Sequence, residues 1–119
     1  MLIDKLIEMK IEVYAFVGAS GTGKSYRAQM VASEYNIRYI IDDGLLIKDN
    51  EVIAGESAKK APTKIETVKK ALFNNFEEAE NIKKAFRKYR PESILILGTS
   101  DSMIKKIREN LGLPELTDI

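Results

Sequence analysis

Eight consecutive residues, Gly18-Ala19-Ser20-Gly21-Thr22-Gly23-Lys24-Ser25, limit what this chain can fold into more than any other feature of it. Three glycines in six positions end the apolar run that precedes them, and a helical pattern begins at Lys24. The run itself, Ile11 to Val17 (IEVYAFV), is β-branched and aromatic and close to continuously apolar from Val13. Strands buried on both faces of a parallel sheet have that character. From Lys24 to about Tyr35, residues Tyr26, Ala28, Met30, Val31 and Ala32 supply an apolar helix face. Ile37 to Ile41 (IRYII) is a second predicted strand, closed by Asp42-Asp43-Gly44. Strand, glycine loop, helix and strand make a βαβ unit, whose crossover is expected to be right-handed.

The rest of the chain alternates in the same way. Leu45-Leu46-Ile47-Lys48 and Glu51-Val52-Ile53-Ala54 flank Asp49-Asn50, two residues that tolerate positive φ, so a two-residue hairpin is predicted. Gly55 to Pro62 is a predicted loop. Thr63 with Glu66 forms a capping-box pattern that opens a helix to about Phe73. Asn75 with Glu78 opens another, which ends by Arg90 because Pro91 follows. Ser93 to Leu97 (SILIL) is a third buried strand, and Ser100 or Asp101 caps a last helix to about Asn110. A short amphipathic helix is predicted at Leu2, Ile3, Leu6 and Ile7. No repeat, low-complexity tract or linker interrupts the chain, and 119 residues are expected to form one α/β domain.

The octapeptide matches G-x-x-x-x-G-K-[ST] at every fixed position, and each residue type has a physical reason. A polyphosphate must approach a run of backbone N–H groups, so glycine supplies clearance and positive φ. The helix that follows adds unpaired amides and the positive end of its dipole. Lys24 brings a mobile ammonium to the outer phosphates, and the Ser25 hydroxyl suits Mg²⁺, which takes hard oxygen ligands.

On these residues the chain resembles the P-loop NTPase superfamily, with the octapeptide similar to a complete Walker A motif. The resemblance covers Ile11 to Asp43 closely and the remainder in general plan. It implies a three-layer α/β fold with a short parallel sheet, an added β-hairpin, and nucleotide at the carboxyl edge of the strands. It makes Gly18, Ala19, Ser20, Gly21, Thr22, Gly23, Lys24, Ser25 and the adjoining Tyr26 the expected nucleotide-binding residues.

The superfamily usually places a Walker B acid at the end of another apolar strand. Here SILIL runs into Gly98, and the first acid after it is Asp101. Asp42 and Asp43 instead end the strand that follows the glycine-loop helix, a placement similar to small-molecule kinases such as shikimate kinases. Two adjacent carboxylates can divide the work between metal and acceptor, and either one can serve the metal, since adjacent side chains diverge at a strand end. An acidic turn before Gly44 accounts for the same pair without chemistry. Thr99, Ser100 and Asp101 emerge beside the glycine loop, resembling the polar sensor position of AAA-type ATPases. Helix capping explains them equally. Lys59, Lys60 and Lys64 are either a cationic lid or solvated loop lysines.

Composition removes whole classes of mechanism. The chain has no Cys and no His, hence no disulfide, thiolate metal site, Ser-His-Asp triad or imidazole zinc site. Nineteen basic against eighteen acidic side chains leave a net charge of +1, too little to recruit nucleic acid or an anionic membrane. Lys83, Lys84, Arg87, Lys88 and Arg90, with Phe86 and Tyr89 interleaved, form a basic stretch that could contact nucleic acid phosphates, but Glu77, Glu78 and Glu80 precede it, and an acidic start with a basic end also suits a helix dipole. No N-K-x-D segment is present, so the guanine-reading signature of GTPases is missing and ATP is the nucleotide left. No arginine finger stands out among Arg27, Arg38, Arg87, Arg90 and Arg108.

The expectation is a cytoplasmic protein without a membrane span that binds Mg-ATP and hydrolyses it or transfers its γ-phosphoryl group. Lys24, Asp43 and Asp101 are the catalytic candidates, and Ser25, Asp42 and Asp43 the metal ligands. The rival expectations are a non-catalytic ATP sensor, an oligomeric ATPase working on protein or nucleic acid, and a small-molecule kinase. A homo-oligomer or a protein partner belongs to the first two.

Overall fold

The computed structural model describes residues 10–19 and 23–117, the side chain of Ser25 apart. The amphipathic helix expected from Leu2 to Ile7 lies outside the described residues, as do Ser20, Gly21 and Thr22 of the glycine loop.

Five strands form a single sheet in the order β1-β5-β2-β3-β4. They are β1 (Glu12–Val17), β2 (Tyr39–Asp42), β3 (Leu45–Lys48), β4 (Glu51–Gly55) and β5 (Ser93–Gly98). The helices are α1 (Lys24–Glu34), α2 (Lys64–Ala71), α3 (Phe76–Tyr89) and α4 (Asp101–Asn110), with a 3-10 turn at Ala58–Lys60. The last strand in sequence enters the sheet between the first two, parallel to both, with Val17 beside Gly98 and Ile41 beside Ile96. The expected hairpin is present, and it joins the same sheet: β3 pairs antiparallel with β2, and β4 with β3. The sheet is therefore mixed, three parallel strands continued by two antiparallel ones.

Both hairpin turns have positive φ at two successive residues, 52° and 82° at Asp43-Gly44 and 50° and 70° at Asp49-Asn50. This is the turn geometry whose twist suits two-residue hairpins, and Asp, Asn and Gly are the residues that adopt it at least cost.

Helices cover both faces, giving three layers. On one face Ala28 and Ala32 of α1 pack on Ile37, Ile40, Leu95 and Leu97. On the other, Ile82 and Phe86 of α3 with Ile104 and Ile107 of α4 pack on Val13, Ile41, Ile94 and Ile96. β5 is buried on both faces, which is why its sequence is unbroken Ile and Leu.

The capping signals hold. Thr63 Oγ1 accepts from Glu66 N at 3.1 Å, Asn75 Oδ1 from Glu78 N at 3.1 Å, and Ser100 Oγ from Met103 N at 3.2 Å. Outside β1, Thr117 lies against the open edge of the sheet. Its amide donates to Val13 O at 2.8 Å and its hydroxyl accepts from Val13 N at 3.1 Å.

Candidate nucleotide site

Parallel pairing gathers three chain segments at one edge of the sheet. Gly18 follows β1, Thr99 follows β5, and Asp42-Asp43 close β2. The β1–β5 ladder runs one residue past the strands, with Gly18 N donating to Gly98 O at 3.1 Å. The glycine loop and Thr99 are therefore immediate neighbours. Asp42 stands two strand spacings from β1, roughly 10 Å, a span a metal-bound triphosphate can bridge.

The loop enters α1 through Gly23, whose φ of 74° and ψ of 24° put it in the left-handed region. It caps the helix without a side-chain hydrogen bond. Lys24 is the first residue of α1, and its ammonium turns back to donate to Gly18 O at 3.2 Å. Tyr26 is on the outer side of α1 and 70% exposed, away from the Ala28–Ala32 face that meets the sheet.

Alternation along β2 separates the two acids. Ile40 packs in the α1 layer and Ile41 in the opposite layer, so Asp42 emerges on the α1 face. Asp43 is the first residue of the turn. Its carboxylate accepts a hydrogen bond from Ser57 Oγ at 2.9 Å, and its carbonyl accepts from Ala58 N at 2.9 Å. Sequence inspection missed Ser57. No local pattern links two residues 14 apart across a hairpin, and the only signal was a serine placed to cap the Ala58–Lys60 turn, which it does by accepting from Lys59 N at 3.3 Å.

The segment carrying Ser57 is fastened a second time, since Lys70 of α2 pairs with Glu56 and with Glu78 of α3, both at 3.0 Å. The hydrogen bond from Lys70 holds the Glu56 carboxyl below its usual range, and the two acids raise the Lys70 ammonium in return. Lys59, Lys60 and Lys64 lie on this segment and at the start of α2, all exposed.

At the end of β5, Thr99 directs its amide and its hydroxyl to Met103 Sδ, at 3.4 and 3.6 Å. Thioether sulfur is a weak acceptor, so both donors are lightly held. Asp101 opens α4 one residue after the Ser100 cap, exposed and in the first turn, where a carboxylate suits the helix dipole. The basic stretch of α3 does not present the interleaved aromatics its sequence suggested. Phe86 is fully buried, and Tyr89 is stacked by Lys48 at 4.9 Å and Lys88 at 5.2 Å. Among the described residues no group of three or more His, Cys, Asp or Glu is placed to hold a metal by itself, and no helix is long and apolar enough to cross a membrane.

A glycine motif between a parallel strand and a helix, with a lysine at the helix start and acids at the end of a second parallel strand, defines a P-loop nucleotide-binding protein. The sequence model of the ABC transporter family matches residues 8–119, and the chain belongs to that family. Membership brings ATP binding and the ATPase class, and it names a branch of the P-loop superfamily that the octapeptide alone did not distinguish. Neither a curated protein nor a solved structure gives a significant match.

Proposed function

We propose that the chain binds Mg-ATP across the edge formed by the glycine loop and the end of β2, and hydrolyses it to ADP and inorganic phosphate. The observation that carries this is Lys24, held at the head of α1 with its ammonium 3.2 Å from Gly18 O. Turning that ammonium outward gives the β- and γ-phosphates a cation, while the amides of Gly18 to Ser25 take the remaining charge. Tyr26 lies close enough in sequence to border the nucleotide.

The donors present fit magnesium. Ser25 and Asp42 are hard oxygen ligands, and magnesium usually takes one or two protein carboxylates and completes its shell with phosphate and water. Bound there, the ion would supply charge neutralisation at the phosphates. Asp43, second at the same strand end, is the residue proposed to orient the attacking water. Asp101 is the alternative for that role, from the far side of Thr99. Most of the acceleration would come from positioning and electrostatics, so a chain without histidine suffices. A protein partner, a second copy or another chain, is in keeping with the exposed apolar side chains Ile65 and Val68 of α2 and Phe76 of α3.

The test is Lys24→Ala, followed by titration with a fluorescent ATP analogue. ATP affinity is expected to fall by about 100-fold, consistent with losing a charge-assisted contact worth ~3 kcal/mol, with the circular dichroism spectrum retained. Unchanged affinity would overturn the assignment.

A further inference from the structure

We infer that Ser57 is a positioning residue for ATP hydrolysis, acting through the carboxylate of Asp43. The inference rests on the function proposed above and adds a residue from a part of the chain outside the glycine loop and strand ends.

Three observations carry it. First, the Ser57 hydroxyl donates to Asp43 Oδ2 at 2.9 Å, which fixes one carboxylate oxygen. A carboxylate that must hold a water in line gains from a single rotamer, since small misplacement of a reacting group is costly in rate. Second, the serine is itself held. Ala58 N donates to Asp43 O, Ala58 is fully buried, and Glu56 is tied to Lys70. The hydroxyl is presented by a braced segment rather than a free loop. Third, the partner is neutral. A lysine or arginine at the same place would cancel the charge of Asp43 and reduce its power to polarise water, whereas a hydroxyl orients the group and leaves the charge in place.

The turn makes the arrangement possible. A Cβ at Gly44 would lie 2.5 Å from Glu56 O, so only glycine lets the Ser57 segment come this close to β2.

Steady-state ATP hydrolysis, fluorescent ATP-analogue binding and thermal melting of the full chain provide the test. Ser57→Ala is expected to lower kcat by about 10-fold with KM and nucleotide affinity within about twofold of the parent, and Ser57→Thr, which keeps the hydroxyl, to restore most of the rate. Asp43→Asn keeps an acceptor for Ser57 and tolerates the turn. In that background Ser57→Ala is expected to have no further effect, because the serine works only through the charged carboxylate. Three outcomes overturn the inference: a rate unchanged by Ser57→Ala, a loss that Ser57→Thr does not recover, or multiplicative losses in the double variant. A wild-type chain that binds ATP but does not turn it over removes both this role and hydrolysis while leaving the nucleotide site standing. A hydrolysing wild type with an indifferent Ser57→Ala removes this role alone.

Discussion

The two hairpin turns of this protein share a backbone shape and a leading aspartate, and they sit at opposite edges of the same sheet. Asp49, at the amino edge, is gripped by Arg38 through two guanidinium nitrogens, Nη2 to Oδ2 at 2.6 Å and Nε to Oδ1 at 3.1 Å. Asp43, at the carboxyl edge, receives one hydroxyl. The first acid is neutralised where it stands, and its guanidinium partner holds it below the ordinary carboxylate value of 3.8. The second is oriented by a neutral partner. Identical turn chemistry is used once to brace the fold and once, on the function proposed here, to aim a charge, and the partner side chain makes the difference.

Several substitutions can break that comparison. The largest effect is expected from glycine. Gly44→Ala forces a side chain into φ +82° and against Glu56 O, and should cost about 3 kcal/mol in a urea unfolding titration. Asn50→Gly, at the matching position of the other turn, should stay within about 0.5 kcal/mol of the parent. If the two variants unfold alike, the carboxyl-edge turn is not tightly covered by its neighbour.

Next in size are the acids. Asp43→Asn should lower kcat for ATP by about 100-fold, ~2.7 kcal/mol in barrier, whereas Asp49→Asn should leave kcat unchanged. Equal effects would place both acids in one structural class.

The smallest difference is a pH dependence. Asp49 has its folded value lowered by Arg38, so the ion pair contributes in full above pH 3.8 and is lost as the pH falls through the lowered value. Arg38→Ala should therefore flatten the fall of Tm with pH below 3.8. The Arg38–Asp49 pair is exposed, so its share of stability is modest and should shrink further in salt.

How far these features could be seen in the sequence depends on the range of the interaction. Strand β5 was legible because burial on both faces forces an unbroken apolar run, β1 because it is β-branched and aromatic though only Val13 is fully buried, and the Thr63, Asn75 and Ser100 caps because a cap acts within three residues. The glycine loop was legible because it repeats a chemical requirement. The start of β2 was less so: the pattern ran from Ile37, but the strand begins at Tyr39, since Arg38 is engaged by the Asp49 turn through its carbonyl and its side chain. The position of β5 between β1 and β2 was not legible, because no local pattern encodes which distant strand a neighbour will be. For the same reason the face on which Asp42 emerges could not be read until the packing of Ile40 and Ile41 was known, and that packing puts Asp42 on the α1 face.

The bond from Lys24 to Gly18 O has a thermodynamic corollary. On the function proposed here, a phosphate would displace a carbonyl already seated on that ammonium, and one of its three donors would exchange one oxygen for another more negative one. That share of the lysine's own dehydration is met while the chain folds, and the phosphate gives up its own water on entry.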